Sequence, residues 1–214
     1  MRLWIKLVDV QPSVNVGVLS MLERTSAKYC LRKTDVRTLF LSEGRTEVAH
    51  NIYSSVRPRR LTFVIVDNDA YSGTVKKTPF HFKNFNLRSA SVEIGANVYP
   101  TTKYDLSWNP ANPSYMRLFI DLHDSLAVSR GNAETCGITL SKFMAGWFAV
   151  VIPCTPMLDD SDGFELIEQG TTTLKLKFHK PIPAGGATVI VLGEFDQLVS
   201  IDQNRVIISD GAPA

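Results

Sequence analysis

Residues 171–195 read TTTLKLKFHKPIPAGGATVIVLGEF. Leu174, Leu176 and Phe178 alternate with Thr173, Lys175 and Lys177, a period of two that gives a strand one dry and one wet face. HKPIPAGG then turns the chain. Pro181 and Pro183 offer no backbone donor, and Gly185-Gly186 admit positive φ. Ala187 to Phe195 is rich in β-branched residues, as in a strand buried on both faces. The alternation and the turn chemistry predict an antiparallel sheet from this stretch. A shorter pair, Leu198 to Ile201 and Arg205 to Ile208, flanks the turn residues Asp202, Gln203 and Asn204, and the tail SDGAPA reads as frayed.

Working outward, further strands are predicted at Leu3 to Val8, Tyr29 to Leu41, Arg60 to Asp67, Ser89 to Ile94 and Phe148 to Ile152. LTFVIV, from Leu61 to Val66, has the continuous apolar run of a central strand. SVEIGANVYP places Gly95-Ala96-Asn97 at the tip of a hairpin. Two segments break the β pattern. Tyr115, Leu118, Phe119, Leu122 and Leu126 recur at helical spacing, with Ser114 placed to cap after Pro113. A second short helix starts near Thr139, with Leu140, Phe143, Met144 and Trp147 on one stripe. The Pro/Asn-rich piece SWNPANPS, Ser107 to Ser114, marks a long connection of the kind that carries helices at one end of a sandwich. The reading is all-β: a jelly-roll β-sandwich of two antiparallel sheets with one or two short helices in long loops. With no linker and no internal repeat, residues 1–214 read as a single domain.

Composition narrows the function. The chain has 214 residues, 44% of them hydrophobic, enough to bury a sizeable core. The formal net charge is +2, too small to make nucleic acid or an anionic membrane the main partner. No apolar run approaches the roughly 20 residues that span a bilayer. The opening MRLWIKLVDVQPSV is interrupted by Lys6 and Asp9 and reads as a strand, not a signal peptide. Cys30, Cys136 and Cys154 are odd in number and lack CxxC spacing, which argues against a disulfide framework and for a reducing compartment.

No residue pattern demands catalysis, a cofactor or a metal. His50, His81, His123 and His179 have no metal-ligand spacing among themselves or with the cysteines. His123, beside Asp124 on the predicted helix, invites a Cys/His pairing with Cys136, but no spacing rule places the two together, and ordinary roles are favoured. The acidic turn Asp159, Asp160, Asp162, Gly163 resembles part of a calcium loop. It lacks the later ligand series, and Glu165 comes too early for the terminal bidentate position, so a solvated turn is favoured. The basic cluster Arg57, Arg59, Arg60 reads as a guard on the apolar strand behind it more than as a phosphate contact. In KTPFHFKNFNL, Lys77 to Leu87, the rings of Phe80, Phe82 and Phe85 suit a sandwich end or a subunit contact better than stacked bases, so nucleic-acid contact has little support.

VDNDAYSG (Val66 to Gly73) followed by TPFHFKNFN (Thr78 to Asn86) resembles a motif pair in the hexon-like major capsid proteins of Maverick/Polinton elements and adintoviruses. GFELIEQGTTTLKLKF (Gly163 to Phe178), a Pro-containing turn and VIVLGEFDQLVSIDQNRVI (Val189 to Ile207) resemble the end of the same family. The early order is also similar: an extended start, a short helical piece near Val14 to Leu22, then AKYCLRKTDVRTLFL. The stretch between Tyr104 and Thr139 departs from the pattern. The family's fold is a double jelly roll, and this chain resembles its C-terminal roll.

The resemblance implies a structural, non-enzymatic virion protein without cofactors, made in the host cytoplasm or nucleus. Its expected partners are other capsid subunits in a homotrimer and in lateral capsomer contacts, an N-terminal jelly-roll domain and a penton-like protein. No small-molecule substrate and no membrane span are expected. The alternative is a jelly-roll binding module, lectin-like or for host attachment, for which the acidic turn is the hint. A cupin-like enzyme needs histidines and a carboxylate in metal spacing on adjacent strands, which the four scattered histidines do not supply.

Overall fold

The computed structural model describes residues 2, 4–126, 136–155 and 168–210. The elements run α1 (Pro12–Leu22), β1 (Ala27–Leu41), β2 (Glu47–Tyr53), β3 (Arg60–Asp67), α2 (Asn68–Tyr71), β4 (Leu87–Ile94), β5 (Asn97–Tyr99), α3 (Met116–Ser125), α4 (Leu140–Met144), β6 (Val150–Pro153), β7 (Thr172–Phe178), β8 (Ala187–Ile201) and β9 (Ile207–Asp210). The backbone falls into two compact units. Among described residues, one holds residues 2–31 and 197–210 and the other holds residues 32–196.

The strands form two sheets. One has the order β1-β8-β3-β6, with β9 also beside β8, and the other has β2-β7-β4-β5. The neighbours nest: β4 pairs with β5, β3 with β6, β2 with β7 and β1 with β8. The chain therefore runs as one long hairpin. Its tip is the two-residue turn Gly95-Ala96, where Gly95 takes φ +58 and Ile94 faces Asn97. Rolling that hairpin brings β8 against β3 and β7 against β4, both antiparallel. This nested order, split over two sheets, is a jelly roll.

Alternation places the core. On β3, Leu61, Phe63 and Ile65 are fully buried; Phe63 lies opposite Val191, and Ile65 opposite Val189, of β8. On β7, Leu174 and Leu176 point inward and face Val92 and Ala90 of β4. The outward lysines of β7 meet cross-strand carboxylates instead: Lys175 Nζ lies 2.6 Å from Glu93 and Lys177 Nζ 2.9 Å from Glu47. Such exposed pairs contribute at most about 1 kcal/mol each. The inward rows hold the sheets together, since burying a large apolar side chain is worth about 1.5–3 kcal/mol.

The two strands quoted first, β7 and β8, are not partners. Each is central, with neighbours already on both sides, and HKPIPAGG carries the chain from one sheet to the other. The expected antiparallel sheet is real for each strand but is built with other strands. The opening also departs from expectation, because residues 4–10 form no strand and are exposed. Alternation alone does not make a strand without a neighbour to accept its hydrogen bonds. Ser114 does not cap α3. Tyr115 holds the N-cap position, while the Ser114 hydroxyl donates to the Asp105 carbonyl. Thr139 does cap α4, accepting from the Lys142 N–H at 3.3 Å.

A glycine sets the spacing between the sheets. Tyr53 of β2 meets Phe195 of β8 edge-on, with ring centroids 4.9 Å apart. Both rings lie over Gly193, where a Cβ would stand 2.8 Å from each. Gly193→Ala is expected to lower unfolding free energy by about 1–3 kcal/mol, the usual cost of overpacking. A urea midpoint unchanged by this substitution would refute that close approach.

Candidate functional site

The helices and long connections of the larger unit are tied together by a run of aromatic rings. Trp108 stacks on Tyr115 at 5.4 Å with the planes 9° apart. Trp108 also meets Phe148 at 5.7 Å, and Phe148 meets Phe143 of α4 at 5.3 Å. Phe143 meets Phe119 of α3 at 5.4 Å, and Phe119 meets the His123 ring edge-on at 4.8 Å. The Trp108 Nε1–H donates to the Leu87 carbonyl at 2.7 Å, fixing the Pro/Asn-rich connection to β4. Edge-to-face pairs of this kind add about 0.5–1.5 kcal/mol each beyond the area they bury.

The run ends on a contact that spacing did not reveal. Cys136 Sγ lies 3.4 Å from His123 Nδ1 and 4.0 Å from Nε2. Both residues are half-buried. His123 sits in the last turn of α3, and Cys136 lies four residues before α4. No spacing rule joins the two residues in sequence; in the structure they lie side by side, with His123 against Phe119 and Phe119 against Phe143 of α4.

The other histidines stay separate. His50 is exposed on β2. The His81 ring presses on Gly146, where a Cβ would collide with Nδ1. His179 Nε2 donates to the Leu106 carbonyl at 2.6 Å. Among the described residues, no three His, Cys, Asp or Glu side chains gather as a metal site. The acidic turn Asp159, Asp160, Asp162 lies outside the described residues. Among the described helices, none is long and apolar enough to cross a membrane.

The rings of the aromatic segment divide. Phe82 and Phe85 pack against the core, whereas Phe80 is 76% exposed. The segment borders a cavity of about 460 Å³ lined by His81, Phe82, Phe85, Met144 and Gly146. Trp147 and Met144, next to it in α4 and its exit, are also exposed. The smaller unit is apolar on its outside to a greater degree. Helix α1 buries no residue, although Val14, Val16, Val18, Leu19 and Met21 lie on it. Ahead of it, Trp4 and Leu7 are 88% and 91% exposed.

The basic cluster turns inward. Arg57 donates from Nε and Nη2 to the Cys154 carbonyl at 3.0 and 2.6 Å and pairs with Glu168. Arg60 donates to the Ser125 carbonyl at 2.7 Å and pairs with Glu194 at 2.7 Å. Arg59 is buried, 3.7 Å from Asp196, which lies 3.7 Å from Arg32 as well. These guanidiniums fasten β3 to its surroundings, beyond the guarding role that composition suggested.

No family model matches the chain. A protein of Caenorhabditis elegans, itself uncharacterised, is 27% identical over 193 residues, covering 89% of this chain and 46% of that one. The chain thus spans less than half the length of this curated relative. Three solved structures are similar at TM-scores just under 0.5. A Sputnik virophage chain has TM-score 0.48 at 12% identity, over 86% of this chain and 39% of that one. PBCV-1 VP54 fitted into a Sputnik reconstruction has TM-score 0.49 at 9% identity, over 88% and 52%. The PBCV-1 virus capsid has TM-score 0.48 at 8% identity, over 88% and 52%.

Removing the Asp196 carboxylate takes one counter-charge from the buried Arg59 guanidinium, 3.7 Å away, so Asp196→Ala is expected to cost about 1–3 kcal/mol of stability in denaturant titration. Alkali tests burial. Desolvation pushes the Cys154 thiol from 9.0 up to about 12, against the pull of Arg57. Desolvation, then the nearby Asp35 charge, pushes the Tyr53 hydroxyl from 10.0 to about 12. Burial and the hydrogen bond to Asp121 raise Tyr104 as well. Above about pH 9 the unfolded chain releases protons that the native state keeps, so stability is full below that pH and is lost as pH climbs toward about 12. The fall is at most about 1.4 kcal/mol per pH unit per group. Urea titrations across this range should show it, with a shallower slope in Cys154→Ala; a flat profile would contradict the burial.

Proposed function

We propose that the protein is a structural subunit of an icosahedral viral shell, a jelly-roll capsid building block that works with a companion roll and assembles into trimeric capsomers. The observation that carries this reading is the apolar exterior of the smaller unit. A helix that buries none of its apolar side chains and exposes Val14, Val16, Val18, Leu19 and Met21, following a segment that exposes Trp4, Ile5, Leu7 and Val8, is built to be covered by another surface. Shell subunits need such contacts in repeated sets, around a wall stiff enough to hold its shape. The jelly roll supplies the wall as two packed antiparallel sheets.

The resemblance of VDNDAYSG, TPFHFKNFN and the C-terminal strands to the Maverick/Polinton and adintovirus capsid family supports the same reading. In that reading the chain corresponds to the C-terminal roll, residues 1–214 act as one building block, and its place is the virion. Its role is assembly, without catalysis. Phe80 and Trp147 supply a second set of exposed anchors, suited to lateral contacts between capsomers.

Sedimentation of the purified chain, alone and co-expressed with the reading frame immediately upstream, tests the assignment. The expected result is a species of three copies, returned to single copies by Trp4→Ser combined with Leu7→Ser at an unchanged thermal midpoint. A chain that stays monomeric in both settings overturns it.

A further inference from the structure

We propose that Cys136 is a modification site: a nucleophilic thiol, with His123 as its proton acceptor, that exchanges with small disulfides of the glutathione class. The thiol and the imidazole nitrogen are 3.4 Å apart, within reach of a sulfur hydrogen bond. Both are half-buried, close enough to the surface for a small reagent to arrive. The imidazole is held edge-on by Phe119, which is itself locked against buried Phe143. A fixed base beside an accessible thiol is what activates cysteine nucleophiles.

Charges around the pair favour the same chemistry. Lys142 of α4 donates from Nζ to the carbonyl of Gly137, the residue after Cys136, at 3.3 Å. An ammonium is thereby anchored at the residue that follows the thiol. Among the described residues, the acids near His123 on its own helix are Asp124, exposed, and Asp121, which is engaged by the Tyr104 hydroxyl at 2.7 Å and by Arg117 at 3.6 Å.

The step balances without further reagents. Cys136 sulfur attacks one sulfur of the disulfide as its proton passes to His123. The S–S bond breaks, a new S–S bond joins Cys136 to one half, and the other half leaves as a thiolate that recovers the proton. Cys136 is oxidised and the small disulfide is reduced. The site owes nothing to shell assembly and stands whether or not the capsid reading does.

The chain carries its own controls. Cys30 is exposed and Cys154 is buried, and neither is paired in a disulfide. The full-length protein is incubated with oxidised glutathione near neutral pH, and each cysteine is followed by peptide mass mapping. Cys136 is expected to react about tenfold faster than Cys30, while Cys154 stays unmodified. His123→Gln and His123→Asn should each bring Cys136 down to the rate of Cys30, with Cys154 still protected as the sign of an intact fold. Unfolding in urea should make the three cysteines react alike. Cys136 reacting no faster than Cys30, or keeping its rate in a folded His123 variant, overturns the proposal.

Discussion

The pairing of β8 with β3 is the contact on which the rest of the sandwich depends. It joins residues 187–194 to residues 60–67 in an unbroken antiparallel register. Without it the nested hairpin remains an open ribbon, and neither Phe63 nor Ile65 has the neighbours that bury it. Closing such distant segments costs chain entropy before any contact repays it. The continuous apolar character of LTFVIV and ATVIVLGEF is the physical answer, because both strands gain burial on closure and leave few polar groups to desolvate. β7 plays the equivalent part in the second sheet, but with one face wet. That difference explains why lysines punctuate β7 and not the first half of β8.

Charge is used in two ways, and the distinction follows depth. On the outer face of the second sheet, lysine–glutamate pairs across strands sit in water, where screening keeps each weak and replaceable. At the start of β3, Arg57, Arg59 and Arg60 reach carbonyls and carboxylates from the β6 exit, the α3 end and β8. Guanidinium suits this work because its planar donor fork satisfies several acceptors at once and it remains charged when buried. A cluster that reads as a surface patch in sequence therefore serves as a fastener between distant parts of the chain.

The sequence made the strands legible wherever burial imposed a rule on consecutive residues. β3, β4, β7 and β8 follow period-two or continuous apolar patterns, and the Gly95 turn announces its hairpin. β2 is hard to read in sequence because the row that carries Val48 and Ile52 also carries His50, exposed and polar, which blurs the alternation in EVAHNIY. The opening residues failed in the opposite sense: alternation was present but no neighbouring strand was. The transfer of the chain between sheets at HKPIPAGG was also invisible, since a turn's composition does not say which strands it joins. His123 and Cys136 mark the same limit at the candidate site. They stand thirteen positions apart, a separation that no local periodicity spans.

The exposed apolar side chains complete the physical picture. A chain that buries Phe63, Phe148 and Phe195 so thoroughly had the means to bury Trp4, Leu7 and Val16 as well, yet leaves them in water. Each carries a transfer cost of about 25 cal/mol per Å² of apolar area. Such a cost is sustained where a partner surface removes it. The exposure is dense in the smaller unit and recurs in the larger one at Val36, Phe40, Val75, Phe80, Ile120 and Trp147, while the outer face of the β2-β7-β4-β5 sheet carries ion pairs. A subunit that carries ion pairs on one sheet face and apolar side chains at set places elsewhere associates in chosen directions, which the proposed shell role requires.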